Sequence, residues 1–304
     1  AAEFPPSLIA RHARLDATAE RVTLQWEGLP EGARVHVNGA ATRATRVELA
    51  AGRHVLVIVH GKDSSRTREH ARRNTELMAA LYRKGFAILA IDLRGHGQSS
   101  DARLTFGQHE HRDVLGAVDY LRAQGYPPGS IGAHGVSLGG ASVLYAAVQK
   151  AAAENKPQQA REAAGMLIEK YSGTAYADLG ALLSSRVQAD AGDLKSARAQ
   201  LGWAAEKAND PALRELARLR LAAVLLDEKS YDEALAQLQA KPSEALQARY
   251  GDLRGDILAA QGKVADARGA YKAALEALAS ATKPEAVAFK EVVQAKLDGL
   301  GGAQ

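Results

Sequence analysis

Gly135-Val136-Ser137-Leu138-Gly139-Gly140 sets a serine among glycines where a short β-prone run gives way to a helix-forming one. This spacing is the signature of a sharp strand-to-helix elbow that holds a serine hydroxyl out as a nucleophile. A serine used in this way needs a histidine to take its proton and a third group to orient that histidine. In folds built on the elbow the order along the chain is serine, acid, histidine. Here all nine histidines (His12, His36, His54, His60, His70, His96, His109, His111 and His134) precede Ser137. No imidazole on the C-terminal side can serve as the base. Of the upstream ones, His134 lies three residues back on the entering strand, so its side chain is expected to point away from the Ser137 hydroxyl or into the sheet. His96 can reach the rim of a cavity at the strand ends.

Other chemistry-bearing clusters are weaker. In His109-Glu110-His111 the histidines stand at i and i+2, which do not share a helical face. The cluster reads as a polar helix start, and no metal site is assigned. Arg66, Arg68, Arg72 and Arg73 could meet phosphates, but no aromatic residues are interleaved with them. They read as a solvated helix face, and no nucleic-acid partner is expected. The absence of cysteine removes disulfides, thiolate metal sites and a cysteine nucleophile. No residue pattern calls for a cofactor.

The elements that must carry Ser137 are legible in the flanking sequence. Val22–Trp26, Arg34–Val37 and Arg46–Leu49 alternate and are separated by turn formers, including Asn38-Gly39; they predict antiparallel strands. Val55–Val59 is a continuous apolar strand, as a sheet covered on both faces requires. Residues 67–84 suit a helix, Phe86–Ile91 a second buried strand, residues 108–124 another helix, and Ser130–His134 a third strand entering the elbow. Strand, helix, strand, helix, strand predicts a parallel sheet. No apolar run reaches the roughly 18 residues of a membrane helix.

Composition breaks at the same place. Residues 1–140 hold 18 Lys+Arg (16 of them Arg) against 14 Asp+Glu, whereas residues 141–304 hold 21 of each and no histidine. Two segments of different ancestry, 1–140 and 141–304, are expected. The start, Ala1-Ala2-Glu3-Phe4, lacks a methionine and is open to two readings: a start that follows a removed signal peptide, or a scar of expression.

Three motifs on successive strand ends together resemble the α/β-hydrolase superfamily, over about residues 20–140: His60-Gly61, Asp92–Ser99 and the elbow at 135–140. The resemblance implies that Ser137 is the nucleophile and that Gly135 and Gly139 leave room for the tight turn. It also implies that the backbone N–H groups of Leu138 and Lys62 are the oxyanion donors. His60 and the Asp92–Ser99 loop would shape the site. The family's later strands, with its acid and its base, are missing here. Chemistry by this chain alone is therefore not expected, and hydrolysis of an ester or other acyl substrate through Ser137 is the alternative.

After Gly140 the chain is rich in Ala, Leu and Glu. Gly192–Arg198, Lys229–Leu235 and Gly262–Arg268 resemble one another, with marker alanines Ala197, Ala234 and Ala267 spaced by 37 and 33. A period near 34 predicts tetratricopeptide-type helix pairs. In the last unit Gly255 falls at a close helix crossing, with Tyr271 and Ala274 at packing positions. The runs Tyr171–Ala177, Ala191–Leu194, Leu219–Ala222 and Asp252–Leu258 resemble the YfgM family over about 141–300. That resemblance implies a periplasmic or exported protein associated with the Sec translocon and with chaperones, whose partner is protein. Tyr176, Trp203 and Tyr231 are candidate contacts, although packing between helices explains Trp203 and Tyr231 better. The expected architecture is a partial α/β-hydrolase parallel sheet followed by an all-α tetratricopeptide-like domain.

Overall fold

Alternating β-prone segments near the N-terminus form β1 (Arg14–Ala17), β2 (Arg21–Gln25) and β5 (Arg46–Ala50), an antiparallel sheet in the order β1-β2-β5. Between them β3 (Val35–Val37) pairs antiparallel with β4 (Ala40–Thr42). The computed structural model describes the backbone of these five strands and residues 54–62, 64–65, 78–83, 85–97, 99, 102–105 and 109–301. The Arg66–Arg73 cluster and Asn38-Gly39 lie outside the described residues; of the helix expected over 67–84, residues 78–83 are described and are helical.

The chain divides into two compact units, residues 1–154 with 169–177, and residues 155–168 with 178–304. In the first, β6 (His54–Val59) is flanked by β7 (Phe86–Ile91) and β8 (Ile131–Gly135), all parallel, in the order β7-β6-β8. The central strand is the most apolar, and Val57 and Val59 are fully buried. Helices Glu110–Ala123 and Leu138–Ala153 pack against each other and against β6. The compositional break at residue 140 thus falls inside a helix. Arg94 holds the loop after β7 to the first of these helices through a two-pronged pair with Asp113, its Nη2 lying 2.7 Å from Oδ1.

Beyond β8 the described residues form helices and no strand. In the second unit the marker alanines Ala197, Ala234 and Ala267 are all fully buried. Side chains any larger would separate the helix pairs, which explains the period seen in the sequence. A Cβ on Gly255 would stand 2.4 Å from the Tyr271 ring, so the crossing expected there is real and admits no larger residue. Each pair covers its neighbour's apolar stripe, as stacked repeats require, in a continuous cluster from Ala181 to Ile257. Salt bridges run along the outside, from Arg161 to Asp193 and from Arg198 to Glu228. Exposed as these are, each contributes about 0–1 kcal/mol. The last helix, Pro284–Gly299, buries Val293 against Tyr271 and Ala274, and Lys296 reaches Asp252 and Asp256 at 2.8 and 2.7 Å. No helix among the described residues is long and apolar enough to cross a membrane.

Candidate functional site

At the C-terminal end of β8 the chain reverses into helix Leu138–Ala153 through Ser137, whose φ of 52° and ψ of −119° lie outside the regions that L-residues favour. Strain of this kind persists only where the surroundings fix it, and here glycines do so. A Cβ on Gly135 would meet the carbonyl carbon of Gly139 at 2.3 Å, and one on Gly139 would meet the carbonyl oxygens of His60 and Val59 at 2.3 and 2.6 Å. Strand, turn and helix therefore cross with backbone in contact with backbone. Two further glycines lie in the motifs without a role assigned from sequence: a Cβ on Gly61 would stand 3.2 Å from the Ser137 Cβ, and one on Gly140 would collide with the Tyr171 hydroxyl. The Gly61 position brings the loop after β6 directly beside the serine. Leu138 opens the helix, where backbone N–H groups have no intrahelical acceptor.

A cavity of about 420 Å3 adjoins Ser137. One side is Lys62, Ser137 and Leu138; the opposite wall is Tyr171, Thr174 and Tyr176, from the turn between two helices. This wall stands where sequence reasoning foresaw none. Behind it lies a buried polar network. Tyr176 is 1% exposed, and its hydroxyl donates to Glu110 Oε2 at 3.0 Å and shares a hydrogen bond with Ser142 Oγ at 2.8 Å. Glu110 is fully buried and accepts from the backbone N–H and the hydroxyl of Thr105 at 2.5 and 2.8 Å. Burial holds the Tyr176 phenol far above its ordinary value, so it is a neutral donor. This corrects the expectation for Tyr176: a side chain enclosed and bonded at its tip is not available to a protein partner. Trp203 and Tyr231 are half-buried against the core of the second unit.

The histidines nearest the turn are engaged elsewhere. His60 is buried; its Nε2 accepts the Leu93 N–H at 3.0 Å, so Nδ1 carries the proton and donates to Gly61 O at 2.7 Å. That tautomer ties the loop after β6 to the loop after β7 and makes His60 a shaping residue. The His96 ring lies 5.0 Å from that of His60, tilted by 54°, and bonds Arg94 O through Nδ1. His134 is exposed on β8. No imidazole among the described residues hydrogen-bonds Ser137 Oγ. Glu110 begins its helix, as expected, but its enclosure by Thr105 and Tyr176 had no local signal, because Tyr176 is 66 residues away. Among the described residues no group of three His, Asp or Glu side chains is placed to hold a metal.

Comparison with known proteins agrees with the two textures of the chain. The model of the tetratricopeptide repeat-like domain matches residues 137–302 and that of the alpha/beta hydrolase fold matches residues 55–218. Each span exceeds half of the 304 residues, so the chain belongs to the tetratricopeptide repeat-like family and, through its N-terminal part, to the alpha/beta hydrolase fold family. Where the spans overlap, every described element is a helix from Leu138 onward. An ancillary SecYEG translocon subunit of Neisseria gonorrhoeae is 31% identical over 189 residues, covering 62% of this chain and 86% of that protein. Its counterpart in Escherichia coli is 31% identical over 160 residues, covering 53% and 74%. A solved structure of MamA from Desulfovibrio magneticus is 18% identical over 53% of this chain and 89% of its own, with a TM-score of 0.39, too low to bear on the argument.

Proposed function

We propose that this chain is a protein-binding helical-repeat module that works beside a Sec-type translocon, on the periplasmic side of the membrane. In this reading residues 1–140 are a partial α/β-hydrolase segment and residues 141–304 the binding domain. The supporting observation is the likeness to ancillary SecYEG translocon subunits, which extends over 86% of the Neisseria protein. Stacked helix pairs offer an extended surface suited to polypeptide partners. The test is chemical cross-linking of the full chain to SecYEG reconstituted in proteoliposomes. Cross-links from lysines between Lys195 and Lys296 to translocon subunits are expected; a chain that forms none above the level of an unrelated helical-repeat protein refutes the proposal.

A second reading makes Ser137 an active nucleophile, with the backbone N–H groups of Leu138 and Lys62 as oxyanion donors. The strained φ at Ser137 and the adjoining cavity favour it. Against it stand the engaged histidines, since a base must lie within hydrogen-bond reach of the hydroxyl. A fluorophosphonate probe is accordingly expected to label the chain no more than it labels Ser137→Ala. Labelling abolished by that substitution would reverse the order of the two readings.

A further inference from the structure

Strand β8 stands at an edge of the parallel sheet, and among the described residues it pairs on one side only, with β6. Val136 N–H donates to Val59 O at 3.2 Å. In a strand the N–H and C=O of one residue point to the same side and those of the next residue to the other. Gly132 and His134 therefore also face β6, and the N–H and C=O of Ile131 and Ala133 point outward, as does the N–H of Gly135. Sheet edges are normally blunted by lysine, proline or a bulge. β8 carries none of these: its five residues pair with Val55–Val59 in unbroken register, and Ala133 and His134 are exposed. Helices Glu110–Ala123 and Leu138–Ala153 flank the edge. Their half-buried Leu115, Val118 and Val143 line a cavity of about 260 Å3 with Ile131 and Ala133. Arg122 and Lys150 lie at the Ile131 end of this cavity, with Glu154 at 3.8 and 3.0 Å.

We propose that β8 pairs antiparallel with β8 of a second copy of this chain, about a two-fold axis at Ala133. In that register Ala133 exchanges both N–H···O bonds with its copy, and the Ile131 carbonyl accepts from Gly135 of the second copy. Ile131 stands opposite Gly135 and His134 opposite Gly132, so each large side chain meets a position that has none. A five-residue strand alone buries less than the roughly 1,200 Å2 of a stable interface. The flanking helices supply the rest, because the pairing sets helix Leu138–Ala153 of each copy beside its counterpart, over the apolar lining of the cavity. Charge selects the antiparallel alignment. It places Arg122 and Lys150 of the two copies at opposite ends of the interface, whereas a parallel alignment sets them side by side. The contact joins one patch to itself, so it closes at the dimer.

The test uses the full chain, which has no cysteine of its own. Hydrogen-bonded antiparallel neighbours stand about 5.5 Å apart at Cα, within disulfide reach. Ala133→Cys, oxidised with copper phenanthroline, should therefore run as a covalent dimer on a non-reducing gel. His134→Cys, whose counterpart lies on a diagonal, should stay largely monomeric under the same treatment. Sedimentation velocity over a concentration series should show the wild-type chain passing from monomer to dimer. Ala133→Lys, at an exposed position, sets two like charges opposite each other and should raise the dimer dissociation constant about fivefold or more, with the circular dichroism unchanged. A wild-type chain that stays monomeric throughout, or a dimer untouched by Ala133→Lys, overturns the proposal. So does Ala133→Cys that forms no covalent dimer, or one that cross-links no better than His134→Cys. If Ala133→Lys unfolds the chain, the two cysteine variants decide alone.

Discussion

Gly139→Ala is expected to destabilise the first unit by about 3 kcal/mol or more, an effect at the top of the range for adding a single methyl group. The new Cβ would stand 2.3 and 2.6 Å from the carbonyl oxygens of His60 and Val59. Both atoms are backbone, and Val59 is held in register on both sides by Ile91 and Gly135. No rotamer change relieves the clash; β6 or the helix must move. Urea denaturation followed by circular dichroism gives the loss, and hydrogen exchange at Val57–Val59 should rise with it. Gly165→Ala is the control, because a Cβ there meets nothing within 4 Å inside a helix. It should gain about 0.5–1 kcal/mol. If the two variants are equally stable, the crossing of β8 and the helix is not as described.

Glu110→Ala should lower stability by about 3–5 kcal/mol, because it strands the half-buried donors of Thr105 and the buried hydroxyl of Tyr176 together. Tyr176→Phe should cost about 1–2 kcal/mol, since Glu110 keeps its Thr105 donors. The phenol also makes a prediction about pH. Its folded value is raised above the ordinary 10.0, so its contribution is complete below pH 10.0 and is lost as pH rises through the folded value. Between pH 10.0 and the folded value the unfolded chain releases the proton and the native chain does not, which lowers stability by about 1.4 kcal/mol per pH unit. Burial also pushes Tyr120 up to about 12, which adds to the slope in every variant. The difference between wild type and Tyr176→Phe isolates Tyr176. Denaturation curves at several alkaline pH values provide the measurement; parallel slopes would mean that Tyr176 is not enclosed.

The parallel sheet was legible because its strands are buried on both faces and so carry a continuous apolar signal. Phe86–Ile91 was placed to the residue, and Val55–Val59 and Ser130–His134 to within one. The elbow glycines Gly135 and Gly139 were legible for a similar reason, because a backbone crossing excludes every side chain. The contacts of Gly61 and Gly140 were not, since what they avoid, Ser137 and Tyr171, lies far off in sequence. Tyr176 failed for the same cause. An aromatic residue near a turn carries no mark of whether its hydroxyl meets water or a buried carboxylate 66 positions away. The repeat period was readable from small residues at fixed intervals.

Helix Leu138–Ala153 carries the seam between two compositions within a single rigid rod. Its buried positions, among them Ala141, Ser142, Tyr145, Ala146 and Val148, form one angular sector of that rod. Each residue gained or lost after Gly140 would rotate everything downstream by about 100°. A loss would move Val148 to the exposed position that Ala147 holds, and a gain would turn Lys150 into the buried position that Ala151 holds. Any ancestral splice at this point had to conserve helical phase as well as reading frame, and length variants at the seam should be far rarer than substitutions.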